Sequence, residues 1–112
     1  MTDLEITKLC ADAMGLEVAE QLGMMMSLNT QYEIAIYDPL HNDAQVMALV
    51  KKFNLEIFYE KEHPDDPWLV NCCKYHAAKY SDSVMANSLD LNRAICECVA
   101  KMMQAKNAKS IP

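Results

Sequence analysis

Residues 37–73 read YDPLHNDAQVMALVKKFNLEIFYEKEHPDDPWLVNCC, and the hydrophobic pattern changes character within them. From Asp43 onward Val46, Met47, Val50 and Phe53 follow helical spacing. Lys51 and Lys52 fall in the last turn, where cations complement the helix dipole. After Asn54 the period drops to two: Leu55, Ile57 and Tyr59 alternate with Glu56, Phe58 and Glu60. His63–Pro67 supplies turn residues, and Trp68, Val70 and Cys72 then share one face of a second strand. A helix feeding an antiparallel hairpin excludes an all-helical fold and points to α+β.

The flanks extend this reading. Thr2 and Glu5 have capping-box spacing, and Ile6, Leu9, Cys10 and Ala13 mark one face of a helix over residues 3–14 that Gly15 stops. Residues 16–31 are ambiguous: either a short helix ending near Gly23 or a segment lined by Met24, Met25 and Met26. Tyr32–Tyr37 has the β-branched and aromatic content of a short strand, ended by Pro39. Residues 76–88 read as a connection that could hold a helical turn. Ser88 is placed to cap a last helix carrying Leu91, Ala94, Ile95, Cys98, Val99 and Met102. Cys96 lies beside that stripe, and residues 106–112 read as a frayed tail. Three helices and a small, mainly antiparallel sheet make a single layered α/β/α sandwich. Its exposed strand edges call for a cover or a second copy.

Composition narrows the function. The 112 residues suit one domain, and 52% hydrophobic with 23% charged residues suit a packed core. A net charge of −6, with Arg93 as the single arginine, argues against binding duplex nucleic acid, which needs a cationic face. No apolar run reaches the length of a membrane span. Five cysteines and a polar, capped start at Met1 fit reduced thiols in the cytoplasm.

Asp38, His41, Asn42 and Asp43 crowd ahead of the middle helix. A His between carboxylates can hold a metal, but Pro39 holds Asp38 extended. Asn42 or Asp43 is placed to cap the helix, with Gln45 close to the third position. Capping is the preferred reading, which leaves Tyr37 and His41 as possible ligand contacts. Cys72 and Cys73 point to opposite faces of a strand, so with His76 they chelate poorly and read as core or half-buried thiols. No phosphate loop or catalytic constellation stands out, and no cofactor is expected.

Several blocks, in order, resemble the phage ABA-sandwich domain family of bacteriophages and prophages. They are CADAMGLEV after the first helix, YDPLHNDAQVMALVKKF, NLEIFYE, WLVNC, and LNRAICECVAKM in the last helix. Residues 16–36 read as an insertion into that pattern. The resemblance implies a layered fold and a phage origin, and carries no catalytic residues. On it rests the expectation of a non-enzymatic accessory protein in the cytoplasm of the infected cell. By analogy such a protein would counter host defence by sequestering a small ligand such as a nucleotide signal. The helix mouth at Tyr37, His41 and Asn42 would receive it, Lys51, Lys52 and Arg93 would supply charge, and Trp68 would stack. A protein-binding inhibitor or adaptor is the alternative and a small enzyme the third. A homo-oligomer is expected in either binding role.

Overall fold

The computed structural model describes residues 1–27, 35–72 and 84–109. Within them lie three helices and two three-stranded antiparallel sheets. The helices are α1 (Asp3–Ala13), α2 (Asp43–Phe53) and α3 (Leu91–Lys109). One sheet has the order β1 (Val18–Gln21), β2 (Met24–Ser27), β3 (Ala35–Ile36). The other has the order β4 (Glu56–Tyr59), β5 (Trp68–Cys72), β6 (Val84–Ser88). The α+β architecture expected from the sequence is the one found.

Helix α3 is the centre. It packs on α1, on α2 and on the β5–β6 part of the second sheet. Its neighbours bury Ala94, Ile95, Cys96, Cys98, Val99, Ala100, Met102 and Met103. That set is too broad for one helical stripe. Alanine and cysteine at the contacts let flanking elements approach the helix closely. The helix runs to Lys109, beyond the point where the sequence suggested fraying.

The ends of α1 and α2 are closed by specific bonds. Thr2 Oγ1 accepts from the Glu5 amide at 3.1 Å, as its spacing predicts. At the other end Gly15, at φ +72°, and Leu16 return their amides to Asp12 and Ala11, a Schellman closure. Asn54 takes the left-handed position after α2 at φ 51°, and Leu55 N–H bonds back to Val50. The inward face of α2 is Val46, Leu49, Val50 and Phe53; Met47 is turned out.

Three further sequence readings change, and one is met in its described part. Residues 18–27 form neither a helix nor a loose methionine segment but the hairpin β1–β2, with Val18 opposite Ser27 and Gln21 opposite Met24. Its turn residues Leu22 and Gly23 both have positive φ, 54° and 75°, as a two-residue type I′ turn requires. The expected strand at 32–37 is described only as Ala35–Ile36, and its earlier residues lie outside the described ones. Residues 84–88, read as connection, form strand β6, because Ala86 turns in against the core while Met85 and Asn87 turn out. Ser88 sits too early to cap α3; its Oγ accepts the Asp90 amide at 3.2 Å instead.

Close packing around α3 sets an expected outcome. Ala100 is 0% exposed, so Ala100→Leu should overpack the centre and lower unfolding free energy by about 1–3 kcal/mol. A urea titration measures this; an unchanged midpoint would show that the helix surface there can yield.

Candidate functional site

The segment Tyr37–Gln45 resolves into separate bonds rather than one acid–His–acid centre. Asn42 caps α2, its Oδ1 accepting the Gln45 amide at 3.0 Å. The Gln45 side chain reaches back past the cap. Its Nε2 donates to Ile36 O at 3.0 Å and its Oε1 accepts from Asp38 N at 2.7 Å, so it flanks Tyr37 like a short neighbouring strand. Tyr37 N–H donates to Met25 O at 2.8 Å on the other side. Asp38 pairs with His41 Nδ1 at 2.9 Å. Asp43 instead accepts from Asn92 Nδ2 of α3 at 3.0 Å. The two carboxylates thus serve different partners.

Tyr37 is buried, with its hydroxyl lacking a hydrogen-bond partner among the described residues. Burial pushes its ionisation well above the ordinary phenol range, and the neighbouring Cys10 and Cys96 thiols act in the same direction. The phenol therefore stays protonated. Beside it lies a cleft of about 180 Å³ that Tyr37, Asp38 and His41 share with Asp3, Thr7 and Met25. It is smaller than the roughly 300 Å³ at which small-molecule sites usually begin. Two carboxylates on its wall oppose a phosphate.

The expected cations do not join that cleft. Lys51 and Lys52 lie at the far end of α2, roughly 15 Å along the axis at 1.5 Å per residue. Lys52 Nζ donates to Ala13 O at 2.7 Å, capping the one α1 carbonyl that the Schellman bonds leave over. It also sits 5.6 Å from the Phe53 ring centroid. Lys51 is exposed. Arg93 bridges Asp3 and Glu97, each at 2.8 Å, so α3 is tied to the start of α1 and the guanidinium is held more firmly protonated. Trp68 is half-buried and already meets Tyr59 edge-on, with centroids 4.8 Å apart. Of the seven expected ligand residues, Tyr37 and His41 line that cleft, and Asn42 adjoins it only in sequence.

The thiols are core groups. Cys10, Cys72, Cys96 and Cys98 are all buried and free. Cys10 Sγ lies 3.5 Å from Cys96 O, Cys98 Sγ lies 3.5 Å from Val84 O, and Cys72 Sγ lies 3.6 Å from Met102 Sδ. Burial pushes the Cys98 thiol up to about 12. Contact with Cys10, then burial, raises Cys96 beyond the thiol range. These are the conditions of inert thiols, not of nucleophiles. Cys73 and His76 lie outside the described residues. Among the described residues no group of three His, Cys, Asp or Glu is arranged to hold a metal. No described helix is long and apolar enough to cross a membrane.

Three residues carry more of this region than the sequence suggested. Spacing marks Gln45 only as a capping-box partner, and nothing local announces a bond seven to nine positions back. Asn92 fastens α3 to Asp43 and to Leu40 O, a contact set by tertiary position alone. Leu22 stands at the hairpin tip, 96% exposed. Leu-Gly lacks the Asn-Gly or Asp-Gly signature that marks such turns.

Tyr37→Phe should leave stability unchanged or raise it by up to about 1–3 kcal/mol, because it removes a buried hydroxyl without a partner. A lower melting temperature would reveal a bond to that oxygen. Lys52→Met should cost about 1 kcal/mol through the lost cap, whereas Lys51→Met should stay within about 0.5 kcal/mol. Equal effects in chemical denaturation would remove the capping role assigned to Lys52.

No family model matches the chain, and neither does any curated protein or solved structure.

Proposed function

We propose that this chain is a non-enzymatic binding protein that docks on another protein through the outer face of the β1–β2–β3 sheet. One observation carries the reading. The strand registers place Ala19, Gln21, Met24, Met26 and Ile36 on that face, and none is charged. The opposite face turns Val18 and Met25 towards α1. Met24 and Ile36 are 40% and 49% exposed, in a chain whose net charge is −6. Methionine side chains adapt to varied apolar partners, and an uncharged face selects a partner surface that is itself apolar and uncharged.

Leu22 supports the same reading. A leucine in the left-handed region costs about 1 kcal/mol relative to a residue suited to it. Its side chain recovers nothing within this chain, being almost wholly in solvent. Apolar exposure and backbone strain at one position are what a contact residue at a hairpin tip would show. The resemblance to phage accessory proteins fits a stoichiometric role on a host or phage protein in the infected cell. A second copy of the chain is the competing occupant, in line with the homo-oligomer expected from the sequence.

A small-ligand reading has one supporting observation, the cleft shared by Tyr37, Asp38 and His41. Its acidic wall favours a neutral or cationic group over a nucleotide phosphate.

Leu22→Asn supplies the test, because Asn suits a type I′ turn. The variant should be more stable by about 0.5–1 kcal/mol and yet bind less. A photo-crosslinking residue at position 22 should trap one discrete partner in cells, and Ile36→Lys should abolish the adduct. A crosslinker at Lys61, in the β4–β5 turn, should not trap it. An adduct with the chain itself would assign the face to self-association. An adduct indifferent to Ile36→Lys would remove the face from the interface.

A further inference from the structure

A second concavity, of about 320 Å³, opens where the C-terminal ends of α1 and α2 meet the later turns of α3. Its walls are Phe53, Met102, Met103 and Ala13, and two ammonium groups, Lys52 and Lys106, stand around it. We propose that this cleft binds a small organic monoanion: a carboxylate on a short alkyl or aryl body.

The charge argument is local. The chain carries −6 overall, yet two cations from different helices converge here. Asp12 also borders the cleft, but its carboxylate is paired with Lys8 at 2.9 Å. Helix C-termini normally repel anions. Here the last α1 carbonyls are already occupied: Ala11 by Leu16 N–H, Asp12 by Gly15 N–H, and Ala13 by Lys52 Nζ. Lys106 makes no ion pair among the described residues. Lys52 is fixed by its cap, so it contributes field at a set place, while Lys106 can reach the ligand.

The walls select the rest of the molecule. A bare phosphate would gain the charge but make no use of the half-buried Phe53 ring or the methionines behind it. An alkylammonium would cover that surface but meet two like charges. Only a molecule with both an anionic head and an apolar body answers both features, and the volume lies at the small end of ligand sites. Methionine walls can close around bodies of differing shape. This site is separate from the β1–β2–β3 face, so each proposal can fail without the other.

The test uses the full chain with its methionine methyls labelled with carbon-13, titrated with octanoate, octylammonium and inorganic phosphate. Octanoate should shift the Met102 and Met103 methyls saturably. Octylammonium and phosphate should leave them in place. Lys106→Glu, an exposed change, should weaken octanoate about fivefold, and Lys61→Glu should not. Added salt should weaken binding in the wild type. Static Met102 and Met103 methyls, equal binding of octylammonium, or full affinity in Lys106→Glu would each overturn the assignment.

Discussion

Everything in this fold is arranged around the burial of α3 on almost all sides. A helix at the edge of a domain needs one apolar stripe; a helix at its centre needs most of its circumference free of charge and bulk. The sequence Ala94-Ile95-Cys96 and Cys98-Val99-Ala100 meets that demand with small residues alternating with branched ones. Cysteine does here what alanine does, with a little more volume and a weak donor. Cys96 faces the Cys10 side and Cys98 faces Val84 of the sheet, which is why two thiols only two positions apart are both inaccessible. Their raised ionisation follows from the same burial that makes them useful as packing.

A central helix leaves the outer elements to be fastened by their ends, and Lys52 and Arg93, expected as ligand contacts, share this work with Asn92 and Gln45. Lys52 closes α1 from α2. Asn92 holds the start of α2 to α3, and Arg93 holds the start of α1 to α3. Gln45 holds the strand before α2 to the helix itself. Each bond is modest. The Arg93 pair is half in water and worth a fraction of a kcal/mol to about 1 kcal/mol. Together they tie the three helices to one another by their ends.

The legible parts of the sequence were those governed by local rules. Thr2, Asn42 and Gly15 announced helix ends, and the alternation through Leu55–Tyr59 and Trp68–Cys72 announced a hairpin that forms in that register. What stayed hidden depends on distant partners. Val84–Ser88 has weak strand propensity and is a strand because β5 and α3 provide neighbours for it. The β1–β2 hairpin was hidden for a different reason: its turn uses a leucine where local energetics favour Asn or Gly. Residue type suggested which side chains could meet a ligand; the tertiary arrangement shows that Lys52, Arg93 and Trp68 each already have partners within the chain.

The two sheets offer a comparison within one molecule. The outer face of β4–β5–β6 also carries apolar side chains, Phe58, Leu69 and Met85. Among them stand Glu56, Asn71 and Asn87, placed there by the strand registers. Such interleaved polar groups keep a solvent-facing sheet from joining another surface. The outer face of β1–β2–β3 has a single glutamine in that role. Among the described residues one sheet is thus interleaved with polar groups and the other has far fewer, and a strained leucine stands at the second sheet's tip. Both departures fall within ten residues, from Val18 to Ser27. Local rules broken together, in a fold that otherwise observes them, support the docking role proposed for this surface.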